Sequence, residues 1–118
     1  MANPNLINAT SIFGKTIFAT LTTSLTSLLA NAAASNTILK VNSVMVTNTS
    51  SSPASATLDV LRSGTGYPLC SNIVVPERSA VVLISKDSLI YLEEGDTMRI
   101  SGSVATVLRC FISYEIIS

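Results

Sequence analysis

Histidine and tryptophan are both missing from this 118-residue chain, and cysteine occurs only twice. Without His, the commonest general base and the commonest metal ligand are gone. Without Trp, and with only three Tyr and three Phe, the aromatic platforms usual in carbohydrate sites are scarce. Charge is scarce as well. Seven Lys plus Arg balance seven Asp plus Glu, and charged residues make up 12% of the chain, about half the share usual in a soluble domain. A neutral chain has no electrostatic reason to seek nucleic acid or an anionic membrane. A lone soluble domain ordinarily carries more charge to resist association. The deficit implies that other subunits cover much of the surface.

Long apolar runs are missing too. The most apolar stretch, Ile17 to Ala34, is interrupted by Thr20, Thr22, Thr23, Ser24, Thr26 and Ser27, which argues against a membrane span. No basic region precedes an apolar run after Met1, so no secretory signal is expected. Gly64 and Gly66 lack the following Lys-Ser or Lys-Thr of a phosphate loop. No serine sits in a nucleophile elbow. The chain therefore reads as a protein that is not an enzyme and that uses no cofactor.

What is present is a strand-forming composition. Apolar residues make up 47% of the chain, in short runs separated by Ser, Pro, Gly and Asp. Strands are predicted over 38–48, 55–61, 69–75, 79–85, 89–92, 97–101 and from Leu108 to the end. In the last strand Leu108, Cys110, Ile112, Tyr114 and Ile116 face one way. Arg109, Ser113 and Glu115 face the other, together with Phe111. In the strand over 38–48, alternation places Leu39, Val41 and Met45 on one face and Val44 and Val46 on the other. Turn signals recur every eight to twelve residues, the pattern of a sandwich or jelly roll. The length suits one core. The expected fold is all-β, a single jelly-roll-like β-sandwich domain.

The first third differs from the rest. From Met1 to Leu58 the only charged side chains are Lys15 and Lys40. The segment 1–23 is expected to be an extended N-terminal arm that gains its order on neighbouring subunits, leaving 24–118 as the sandwich. Its anchors would be Ile12, Phe13, Ile17 and Phe18. A helical alternative exists, since Leu21, Leu25, Leu28 and Leu29 share a helix face, but the hydroxyl-rich background opposes it. On the last strand, Arg109 beside Phe111 is a candidate interface anchor. Equally, Phe111 fits a second core layer under the N-terminal segment.

Two further groups remain. Glu93, Glu94 and Asp96 place three carboxylates within four residues, which suggests calcium. One short turn offers too few ligands, so the expected role is a solvated hairpin turn and no metal site is assigned. Cys70 and Cys110 are spaced too widely for a local metal knuckle, and they read as buried free thiols, with a disulfide between them as the alternative.

Several segments together resemble a family of short virion structural proteins encoded by tailed phages of cyanobacteria. They are Leu39-Lys40-Val41-Asn42-Ser43-Val44, Ile73-Val74-Val75-Pro76 leading into Val81-Val82-Leu83, Ile90-Tyr91-Leu92-Glu93-Glu94-Gly95-Asp96, and Ser113-Tyr114-Glu115-Ile116-Ile117-Ser118. The resemblance spans most of the chain from about Gly14 onward, and Tyr-Leu-Glu-Glu-Gly-Asp is its most specific part. It implies a virion context, with synthesis in the host bacterial cytoplasm. The expected role is capsid decoration (cement), as a homotrimer or higher homo-oligomer bound to the major capsid protein or other virion proteins. The alternative is a neck, tail or fibre-attachment ring.

Overall fold

The computed structural model describes residues 11–118, and these residues fold into nine β-strands. These are β1 (Ile12–Thr20), β2 (Thr26–Ala30), β3 (Ile38–Asn48), β4 (Ala54–Arg62), β5 (Thr65–Val75), β6 (Ala80–Ile84), β7 (Ile90–Leu92), β8 (Thr97–Gly102) and β9 (Leu108–Ile117). One 3-10 turn, Lys86–Ser88, joins β6 to β7. One sheet has the order β1-β9-β3-β6, with β7 also pairing β3. The other has the order β2-β8-β4-β5. All pairings are antiparallel. The chain crosses between sheets after β1, β2, β3, β5, β7 and β8, so the strands wrap as a jelly roll. The expected all-β sandwich is the observed fold.

Strand alternation builds the core. From β9 come Leu108, Cys110, Ile112 and Tyr114; from β3, Leu39, Val41, Val44 and Val46; from the second sheet, Ala56, Leu58, Val60, Met98 and Ile100. All are buried, and each aliphatic side chain of this kind contributes roughly 1.5–3 kcal/mol by leaving water. The faces assigned to β3 from plain alternation need correction. A bulge between Val41 and Ser43, where Asn42 has no cross-strand partner, shifts the phase by one residue. Leu39, Val41, Val44 and Val46 consequently all face the core, and Met45 turns outward.

The segment 21–29 is not helical. Leu21, Leu28 and Leu29 are buried while Leu25 is exposed. Leu28 and Leu29 are adjacent yet both enter the core, because β2 breaks its register on β8 between Ser27 and Leu29.

The expected boundary at residue 23 also falls inside the domain. β1 pairs with β9 of its own chain over nine consecutive residue pairs, from Ile12↔Ile117 to Thr20↔Arg109. Ile17 and Ala19 pack against the core from that strand. The physical reason is the last strand: β9 is apolar enough to need cover on both edges, and β1 supplies one. The earlier part of the expected arm, 1–10, lies outside the described residues.

Strand β5 begins earlier than the sequence suggests. Ser63 and Gly64 both have positive φ, at 52° and 79°, and close a two-residue hairpin in which Arg62 pairs with Thr65. Pro68 sits inside β5 without breaking it, because β5 is an edge strand.

Candidate assembly surfaces

The acidic turn between β7 and β8 is built as a clamp. Gly95, with φ 88°, makes the turn. Asp96 accepts the backbone N–H of Glu93 at 2.9 Å and both guanidinium contacts from Arg62, at 2.8 and 2.5 Å. The hydrogen bond from Arg62 to Asp96 holds the guanidinium above its ordinary pKa, against the opposing effect of burial. Arg62 also lies 3.0 Å from Glu93. Glu94 accepts the Asn36 N–H at 2.8 Å. The expectation of a solvated turn is therefore corrected: Asp96 and Glu94 are both buried, because each carboxylate has a donor waiting inside the fold. Asn31, just past the end of β2, fastens the same turn, donating its backbone N–H to the Asp96 carbonyl and accepting from the Gly95 N–H. Its side-chain amide donates to the carbonyls of Thr37 and Leu92. The cluster is consumed by holding the hairpin, and no group of three His, Cys, Asp or Glu among the described residues is placed to hold a metal.

The two thiols are free and far apart in the topology. Cys110 lies in β9, opposite Ala19 and Val46, whereas Cys70 lies in β5 of the other sheet, opposite Leu58. Burial pushes the Cys110 thiol up to about 12 and also raises Cys70. Neither is poised as a nucleophile at neutral pH.

The apolar surface is concentrated on two features. The first is the outer face of the β1-β9-β3-β6 sheet. Phe18 pairs with Phe111, Phe111 with Met45, and Met45 with Val82. Cross-strand partners share a face, so these four side chains form one apolar row across the sheet. Phe18 is 72% exposed and Val82 56%, and Phe111 and Met45 are half-buried between them. The Phe18 and Phe111 rings meet edge to face, with centroids 5.2 Å apart. Beside the row runs a polar one, Thr20, Arg109 and Thr47.

The structure thus brings together Phe18, Phe111 and Arg109 among the candidate anchors. Ile12 lies on the same outer face but at the far end of β1. Phe13 and Ile17 point to the opposite side. Ile17 is corrected as a free anchor, since it is packed on the core, while Phe13 overhangs at 62% exposed. The second core layer expected over Phe111 is corrected: the N-terminal strand lies beside β9 in the same sheet, so Phe18 meets Phe111 from the side and leaves it half-buried on the outer face. Met45 and Val82 escaped the sequence reading because their membership depends on register, which the bulge in β3 alters.

The second feature is the open edge of the sandwich beside β5. Tyr67 and Leu69 of β5, with Val60, Arg62 and Ile90, line a cleft of about 320 Å³. On β5, Tyr67, Leu69, Ile73 and Val74 are all exposed. Its aliphatic and aromatic lining suits a side chain from another surface. It offers no convergent set of acid, base and nucleophile, the arrangement a catalytic pocket needs.

No family model matches the chain, and no curated protein matches it. Among solved structures it is similar to a chain of the disulfide-linked pili that form Bacillus endospore appendages. The two share 16% identity with a TM-score of 0.56, over 99% of this chain and 95% of that one. The likeness is one of fold.

Proposed function

We propose that this protein is a structural subunit of a tailed-phage particle, a capsid decoration protein that braces the shell through contacts among its own copies and with other virion proteins. The observation that carries the reading is the apolar row Phe18–Phe111–Met45–Val82, laid across the outer face of a sheet in a chain of very low charge. Such a face is costly to leave in water and gains by being covered. The resemblance of 39–44, 90–96 and 113–118 to virion proteins of cyanobacterial phages supplies the context. The action would be mass action: a subunit that binds only the assembled shell lowers the free energy of that state and raises the barrier to its rupture.

A ring at the neck, tail or fibre attachment is the second reading. What favours it is fold-level likeness to a chain of a polymeric pilus. That pilus is disulfide-linked, whereas the copies here would join without disulfides. Cys110 is sealed in the core, and Cys70 is half-buried with its thiolate disfavoured.

Deleting the gene from a phage separates the two readings. Decoration predicts particles that assemble and carry tails but release their DNA at a lower temperature than the parent. A neck or tail role predicts full heads without attached tails or fibres. Particles unchanged in composition, heat stability and tail attachment would contradict both.

A further inference from the structure

Four strands bear the sheet edges, apart from the three-residue β7, and three of the four are blunted. β2 and β6 have five residues each, and each carries a register break. β5 is long but contains Pro68 and two register breaks. Short strands, bulges and edge prolines all discourage further pairing. β1 has none of these. It runs for nine residues in unbroken register with β9, with no proline and one charge, Lys15. No described strand pairs with its outer edge.

The hydrogen bonding identifies which groups that edge presents. Ser11 exchanges both backbone bonds with Ser118, and Leu21 donates to Leu108, so the odd residues of β1 bond to β9. The even residues, Ile12, Gly14, Thr16, Phe18 and Thr20, therefore turn their N–H and C=O groups outward. We infer that β1 pairs antiparallel with β1 of a second copy, across a two-fold axis at Thr16, joining the two outer sheets into one. The inference rests on the reading of the chain as an assembly subunit and specifies its contact.

The register is set by self-complementarity. Centred on Thr16, Ile12 faces Thr20 of the second copy, Gly14 faces Phe18, and Thr16 faces Thr16. Every outward N–H and C=O of the five residues finds a partner, giving about ten hydrogen bonds. Gly14 has open space where a side chain would stand, and the exposed Phe18 ring of the second copy covers it, a pairing known to rescue strand glycines. Lys15 faces Ile17 rather than its own copy, so like charges do not meet. A two-fold contact of this kind links neighbouring oligomers and is compatible with trimers on a shell.

Cysteine cross-linking, in a Cys70→Ser background, tests the register. In the pairing, the two Thr16 Cα atoms lie about 5.5 Å apart, within disulfide reach. The two Ile12 positions lie about 27 Å apart, eight residues of strand rise. Thr16→Cys should give a covalent dimer on mild oxidation, and Ile12→Cys should not. Thr16→Pro should fold normally, since the Thr16 N–H takes no part in the pairing with β9, and should weaken self-association in sedimentation at least tenfold. If the parent protein self-associates but Thr16→Cys fails to cross-link and Thr16→Pro associates unchanged, the edge inference falls while the assembly reading stands. If the parent protein stays monomeric at high micromolar concentration and nothing cross-links, both fall. Equal cross-linking at Ile12 and Thr16 overturns the register.

Discussion

Asp96 shows what a single residue contributes in this fold. It is fully buried, caps the turn through the Glu93 N–H and holds Arg62 with both oxygens. Asp96→Ala would leave that guanidinium with Glu93 alone and orphan a backbone donor. Breaking a buried pair costs about 3–5 kcal/mol, but Arg62 is half exposed and water takes up part of the loss. The expected destabilisation is about 2–3 kcal/mol by urea titration. Asp96→Asn, which keeps an acceptor for Glu93, should lose less. Cys110 gives a second residue-scale expectation. Native protein should label slowly at Cys70 and not at Cys110, and denatured, non-reduced protein should label at both. Because burial raises the Cys110 pKa, its neutral thiol supports the fold below about pH 9, and that support is lost as pH rises toward about 12. Absence of label after denaturation would mean a disulfide. The role of Gly95-Asp96 as the turn was legible from residue type. The burial of Glu94 and Asp96 was not, because their donors, Asn36 and Arg62, are 58 and 34 residues distant in sequence.

Strands from β3 onward were legible because alternation and turn residues agree there. β9 is the clearest case: Leu108, Cys110, Ile112 and Tyr114 are buried, and Arg109 is exposed. What failed were the irregular places. The bulge at Asn42 has no glycine or proline to announce it, and the one-residue phase shift it causes moved Met45 to the wrong face. The strand expected over 69–75 starts at Thr65 instead, because the edge strand β5 tolerates Pro68. β1 read as part of an arm because its segment is charge-poor and hydroxyl-rich with few long core residues, yet an edge strand needs only one partner. This last point has a consequence for stability. Deleting 2–20 removes the cover over β9, including Ala19 opposite Cys110. The shortened protein should become labile, and Cys110 should label at a rate approaching that of Cys70. Unchanged protection of Cys110 would show that β1 is dispensable to the domain.

At the scale of the whole molecule, one face carries the account. The jelly roll encloses a complete core with few charges, and its outer sheet carries an apolar row ending in an exposed Phe18. Phe18→Lys should leave the fold intact by circular dichroism, since the side chain lies outside the core, while reducing incorporation into particles several-fold in a complementation assay. The most direct test is cryo-EM of the whole particle with this chain located in the density. The account predicts ordered sandwiches on the outside of the shell, trimers at its threefold positions, with Phe18, Phe111, Met45 and Val82 covered by protein. Rings at the neck or tail would shift the position while keeping the structural role. A particle that lacks the chain, or holds it with that face open to solvent, would contradict the account.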